Sequence, residues 1–212
     1  SGSRKWRGRD MGAGVRGASR IIQPTMPPAV PARDAGLLLR FRLAAICGAF
    51  LLFFVQPLMA RQILPWFGGT PGVWATCLLF FQVALVVGYA YAHLTRRLSI
   101  ATRVGLYLGL LAVSLVTLPI TVAPGWRPVG TESQAPHVLA LLAASVGAPY
   151  ALLAASSPLL QDWFRLVAPA RSPYPLYALS NAGSLAALVS YPTIVEPFLS
   201  TRSQSVVWSL GF

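Results

Sequence analysis

Hydrophobic residues in this chain fall into blocks about as long as a membrane crossing, separated by short polar or proline-glycine connections. A hydrocarbon core of ~30 Å takes about 20 apolar residues in a helix. Five blocks meet that length, near residues 43–60, 73–93, 104–122, 138–160 and 176–195, and a sixth begins near 205. None shows the period-2 alternation of a half-buried strand. The pattern predicts an all-α, polytopic membrane domain over residues 37–212, with about five full transmembrane helices and a shortened sixth.

Residues 1–36 are different. They are rich in Arg, Gly, Pro and Ala without apolar periodicity, and such a segment buries too little surface to offset its ordering entropy, so a disordered tail is expected. Gly12-Ala13-Gly14-Val15-Arg16-Gly17 has the spacing GxGxxG. It lacks the preceding strand and following helix through which that motif binds a pyrophosphate, so it carries no cofactor expectation. The start at Ser1 and the hydrophobic run ending at Phe212 are what a fragment of a longer protein would show.

Between the first two blocks, Ile63-Leu64-Pro65-Trp66-Phe67-Gly68-Gly69-Thr70-Pro71 reads as a turn, with Trp66 and Phe67 placed as interfacial anchors. Pro57, Pro149, Pro158 and Pro192 fall inside or at the edge of blocks and are expected to kink them. The small residues Ala178, Ala182, Gly183, Ala186 and Ala187 allow close helix approach.

Composition sharpens the picture. Hydrophobic residues make up 55% and charged residues only 10%, yet the net charge is +12. A soluble domain of this size carries about 25% charged residues. Nine of the 17 cations (Arg4, Lys5, Arg7, Arg9, Arg16, Arg20, Arg33, Arg40, Arg42) precede Leu43. The rest alternate: Arg96, Arg97 and Arg103 after the second block, Arg165 and Arg171 after the fourth, against single cations Arg61, Arg127 and Arg202 in the other connections. The positive-inside rule then sets the N-terminus and even-numbered loops in the cytoplasm of a cell whose inner membrane holds the protein. A basic tail and basic loops argue against specific nucleic-acid binding, which spreads cations over a folded face.

Candidate chemistry is sparse. Cys47 and Cys77 sit in apolar runs and make neither a disulfide framework nor a zinc site. No Ser-His-Asp set, nucleophile elbow or phosphate loop is evident, so no catalytic, cofactor or metal residue is assigned. Polar residues within spans must face protein or a water-filled cavity. Gln56, Gln82, Ser157, Gln161, Ser180 and Asn181 form the candidate intramembrane polar stripe, either as packing glue between helices or as the wall of a solute pathway. Arg61, Asp162 and Glu196 fall at span ends, where side chains reach the interface.

Particular runs resemble a known family. Val55-Gln56-Pro57-Leu58-Met59-Ala60-Arg61-Gln62-Ile63-Leu64-Pro65-Trp66-Phe67-Gly68-Gly69-Thr70-Pro71-Gly72-Val73-Trp74 is similar to the first-loop region of bacterial spermidine-synthase-like membrane proteins, in which a major-facilitator-like membrane region is fused to a synthase. Leu79-Phe80-Phe81-Gln82, Gly88-Tyr89-Ala90-Tyr91-Ala92-His93, Ser156-Ser157-Pro158-Leu159-Leu160-Gln161 and Ser172-Pro173-Tyr174-Pro175-Leu176-Tyr177-Ala178-Leu179-Ser180-Asn181-Ala182-Gly183-Ser184 fit the same family. The resemblance spans roughly residues 43–212. It implies a membrane region preceding a soluble aminopropyltransferase-like domain with a Rossmann-like fold, decarboxylated S-adenosylmethionine and an acidic catalytic residue. None of that domain lies within these 212 residues, so no catalytic residue carries over.

The expected function is therefore a membrane anchor, with solute handling as a further expected role, for a C-terminal aminopropyltransferase-like module. A stand-alone small-solute permease half is the rival reading, and a purely structural anchor or non-functional fragment the third. The expected partners are the lipid bilayer, that C-terminal domain and a small molecule of unknown identity.

Overall fold

A computed structural model describes residues 32–128 and 134–212. The expectations for the tail up to residue 31, including its glycine motif, lie outside them. Eight α-helices follow in order: α1 (Ala32–Phe67), α2 (Pro71–Leu94), α3 (Ile100–Ser114), α4 (Gln134–Leu142), α5 (Ala148–Val167), α6 (Tyr174–Ser190), α7 (Glu196–Phe198) and α8 (Thr201–Gly211). Among the described residues there is no strand.

Local chemistry sets the helix ends. Gly68, at φ 79°, closes α1 in the left-handed conformation that glycine adopts without steric cost, and its N–H donates to the Leu64 carbonyl at 2.8 Å. Thr70 then caps α2, its hydroxyl accepting from the Val73 N–H, with Pro71 as first helical residue. Ser99 caps α3 through the Thr102 N–H, and Ser200 caps α8 through the Ser203 N–H, both at 3.2 Å.

Among the described residues, five helical stretches are long and apolar enough to cross a membrane: Ala35–Phe67, Pro71–Arg97, Ile100–Thr117, Gln134–Val167 and Tyr174–Phe198. The fold is all-α and polytopic, as the block pattern predicts. Several boundaries differ from the apolar blocks, some of them where proline acts. The expected turn at 63–71 shrinks to residues 68–70, because α1 continues through Pro65 to Phe67. The third span ends at Thr117, not near 122: Pro119 lacks an N–H and disfavours helix at Leu118. The fourth and fifth spans each contain a π-helical turn, Ala143–Gly147 just before Pro149 and Tyr191–Val195 around Pro192. A wider turn there relieves the clash between a proline ring and the carbonyl four residues back. The last helix starts at Thr201, four residues ahead of its apolar run, because Ser200 supplies the cap.

Helix α1 is the central post, packed against α6, α5 and α8, while α2 packs on α4 and α5. Helix association in a bilayer depends on close packing rather than hydrophobic driving force, so the tightest crossings are at glycine. A Cβ on Gly183 would strike the Ile46 carbonyl oxygen, and one on Gly88 would lie 2.6 Å from Ala154 Cβ. On α6 and the π turn beyond it, the residues facing inward are Leu176, Gly183, Ala187, Tyr191 and Val195. Their spacing of seven then fours is a seam along one helical face.

The two ends of the bundle differ in charge. Arg40, Arg42, Arg96, Arg97, Arg103, Arg165 and Arg171 lie at the end where α2 hands over to α3 and α5 to α6, and Arg61, Arg127 and Arg202 lie at the other.

Candidate functional site

A concavity of about 800 Å³ lies at the cation-poor end, between α1, α2 and the α6–π segment. Its base is Gln56, whose Nε2 donates to the Tyr150 hydroxyl at 3.2 Å. Trp74, Leu78 and Phe81 of α2 form one wall, and Leu188, Tyr191 and Pro192 the opposite one. Arg61 and Glu196 stand at the mouth, with the Arg61 guanidinium donating to the Glu196 backbone carbonyl at 3.2 Å. Pro57 and Pro65 on α1 and Pro192 opposite also line the cavity. A proline frees a backbone carbonyl, which is tolerated at membrane depth where it faces protein or a cavity.

The six residues expected to form one polar stripe occupy separate settings. Gln56 is in the pocket. Gln161 is buried on α5 and donates to Ser157 one turn earlier at 3.4 Å. The Ser180 hydroxyl reaches across to the Ala45 carbonyl at 3.4 Å, stapling α6 to α1. Gln82 and Asn181 are exposed on the outward faces of α2 and α6. Successive helical positions turn by about 100°, so Asn181 lies roughly opposite Gly183, on the side away from the α1 crossing. Gln82 is set the same way against Ala84. The stripe is thus one pocket residue, two packing contacts and two outward amides.

Two polar assemblies escaped the sequence reading. At the cation-rich end, Asp162 of α5 accepts from Arg96 Nε at 2.9 Å and Nη2 at 3.0 Å, a bidentate clamp, and from Arg103 Nη2 at 2.7 Å. Arg103 is 6% exposed. Its Nε, the Tyr91 hydroxyl and the Trp163 indole N–H are buried without a hydrogen-bond partner. Tyr107 stands between the two aromatic groups, its ring centroid 6.4 Å from Tyr91 and 6.0 Å from Trp163. The available signal was a charge inside or beside an apolar block, since such a charge needs a partner.

At the cation-poor end, Gln62 accepts from the Val122 N–H at 3.1 Å and donates to Ser205 at 3.2 Å. The Tyr191 hydroxyl donates to Gln204 at 3.0 Å, Gln204 being fully buried. These bonds join α1, the strip after α3, the π turn and α8. Of these residues Tyr191 also lines the pocket.

Among the described residues no three His, Cys, Asp or Glu side chains gather as a metal-binding group. The arrangement offers concave, mostly apolar binding with a few polar groups, the general form of a small-molecule site. No model of a known protein family matches the chain, and comparisons with curated proteins and with solved structures also returned no match.

Proposed function

We propose that this chain is a solute-handling membrane domain of the spermidine-synthase-like kind, embedded in the inner membrane with its N-terminus cytoplasmic, and that it anchors an aminopropyltransferase-like module encoded C-terminal to it. The observation that carries the solute-handling part is the pocket. A volume of about 800 Å³, walled by aromatic and aliphatic groups and carrying the amide of Gln56 and the charges of Arg61 and Glu196, suits a small organic solute. The run Val55 to Trp74, on which the resemblance chiefly rests, supplies Gln56, Arg61 and Trp74 to that pocket, so the resemblance and the solute-handling reading bear on the same residues. The excess of arginines at the opposite end supports a cytoplasmic N-terminus and a pocket that faces away from the cytoplasm.

The stand-alone permease half remains a second reading, favoured by the two π turns at Ala143–Gly147 and Tyr191–Val195, since such turns frequently mark functional sites in helices. Flux measurement separates solute handling from pure anchoring. Vesicles containing the chain should accumulate a labelled small amine or amino acid above empty vesicles, and Gln56→Leu should abolish the excess. Equal flux of both kinds of label in the two vesicle types would leave only the anchor.

A further inference from the structure

Arg61 and Glu196 approach each other at the pocket mouth without forming an ion pair. The guanidinium is occupied with the Glu196 backbone carbonyl, not its carboxylate. The ion pairs among the described residues are those of Asp162 with Arg96 and Arg103, at the other end of the bundle. The mouth therefore holds one cation and one anion within a residue's reach of each other, each retaining capacity for a ligand of opposite charge. Behind them the wall is apolar, formed by Leu78, Phe81 and Leu188, and the amide of Gln56 lies at the base.

The Arg61 guanidinium lies 3.2 Å from the backbone carbonyl of Glu196, so the two charges stand within a side chain's length and fit a ligand whose own two charges are near each other. A guanidinium presents a planar fork of donors that matches a carboxylate in bidentate fashion, and a carboxylate accepts readily from an ammonium. A diamine would set a second ammonium against Arg61, and a dianion a second carboxylate against Glu196. Either is disfavoured by like-charge repulsion in a site bounded by low-dielectric walls. The geometry points to a zwitterion with adjacent charges and an apolar body as the ligand of this pocket: a hydrophobic α-amino acid, its carboxylate on Arg61, its ammonium on Glu196 and its side chain between Leu78, Phe81 and Leu188. This assignment rests on the solute-handling reading and narrows it to a substrate class. The same pairing of charges occurs in phosphatidylethanolamine headgroups, so the test distinguishes a dissolved ligand from a lipid.

The whole chain, purified into nanodiscs, is titrated with leucine, 3-methylbutylamine, 4-methylpentanoate, 6-aminohexanoate and 1,4-diaminobutane, with binding read by calorimetry. Leucine is expected to bind at least about tenfold more tightly than any of the others, a difference of about 1.4 kcal/mol. Arg61→Gln should bring leucine down to the level of the amine, and Glu196→Gln to the level of the acid. Glu196 is exposed and Arg61 half-buried, so both variants are expected to keep the wild-type circular dichroism spectrum. Preference for the diamine or for one monofunctional analogue, with Gln56→Leu weakening that binding, would overturn the zwitterion assignment while leaving a solute pocket. Binding of leucine that neither charge variant changes would also overturn it. Absence of binding by every probe would remove both readings. The titration is repeated in bilayers with and without phosphatidylethanolamine; about tenfold weaker leucine binding when that lipid is present would identify the headgroup as occupant and overturn the dissolved-ligand assignment.

Discussion

Arg103 Nη2 lies 2.7 Å from Asp162 Oδ2, joining the first turn of α3 to the last turns of α5 across 59 residues of chain. Both side chains are largely shielded, at 7% and 16% exposure, whereas Arg96, which grips the same carboxylate, is 50% exposed. α3 leans chiefly on α5, so this contact fastens the most peripheral span.

The two arginines should differ in worth. A shielded hydrogen bond between charged groups contributes about 1.5–3 kcal/mol and an exposed pair below about 1 kcal/mol, and in Arg103→Ala the Asp162 carboxylate keeps its clamp on Arg96. Arg103→Ala is expected to destabilise strongly and Arg96→Ala weakly in reversible unfolding from mixed micelles. Equal losses would show that burial does not set the strength of this cluster.

Tyr91 carries a buried hydroxyl without a partner. An unsatisfied buried donor costs about 1–3 kcal/mol, so Tyr91→Phe should stabilise the fold, by around 1 kcal/mol after allowing for relaxation of the neighbours. A clear loss of stability in the same unfolding assay would mean that the hydroxyl is satisfied in the membrane, by water or lipid.

Glycine sites offer a steric check. Gly183→Val places branched atoms against the Ile46 carbonyl oxygen and should force α6 off α1, whereas Ala182→Val, one position along and exposed, should be tolerated. Overpacking of this kind costs about 1–3 kcal/mol or more. Yield of monodisperse protein from detergent would separate the two variants; similar yields would contradict the crossing.

Trp208 closes the bundle at α8. It is 1% exposed, and its indole N–H donates to the Leu51 carbonyl at 2.8 Å. Trp208→Phe should cost about 1 kcal/mol for the lost hydrogen bond, and Trp208→Ala about 3–5 kcal/mol with the cavity it leaves. The two midpoints measured side by side check the ordering; Phe no better tolerated than Ala would contradict it.

The spans were legible in the sequence because a hydrocarbon core imposes a length on any helix that crosses it, and that length survives without knowledge of neighbours. Helix ends were less so: Pro65 stays inside α1, while Pro119 ends a span. The difference lies in where the glycine and the capping threonine stand, at Gly68 and Thr70 in the first case. Polar residues were legible as present but not as placed. Asn181 and Gly183 differ by two positions and face opposite ways, and only packing against Ile46 decides which faces inward. Pairs such as Arg103 with Asp162, or Gln62 with Val122, join residues 59 and 60 positions apart. Local periodicity holds no information on such partners.

In the proposed topology the pocket opens away from the cytoplasm while the arginine-rich end faces it. Accessibility of single cysteines to an impermeant maleimide in intact spheroplasts tests it most directly, on a background with Cys47 and Cys77 replaced by serine. Glu196→Cys at the pocket mouth should label from outside, and Arg97→Cys should label only after permeabilisation. Labelling of Arg97→Cys in intact cells, with Glu196→Cys protected, would invert the topology and contradict the account.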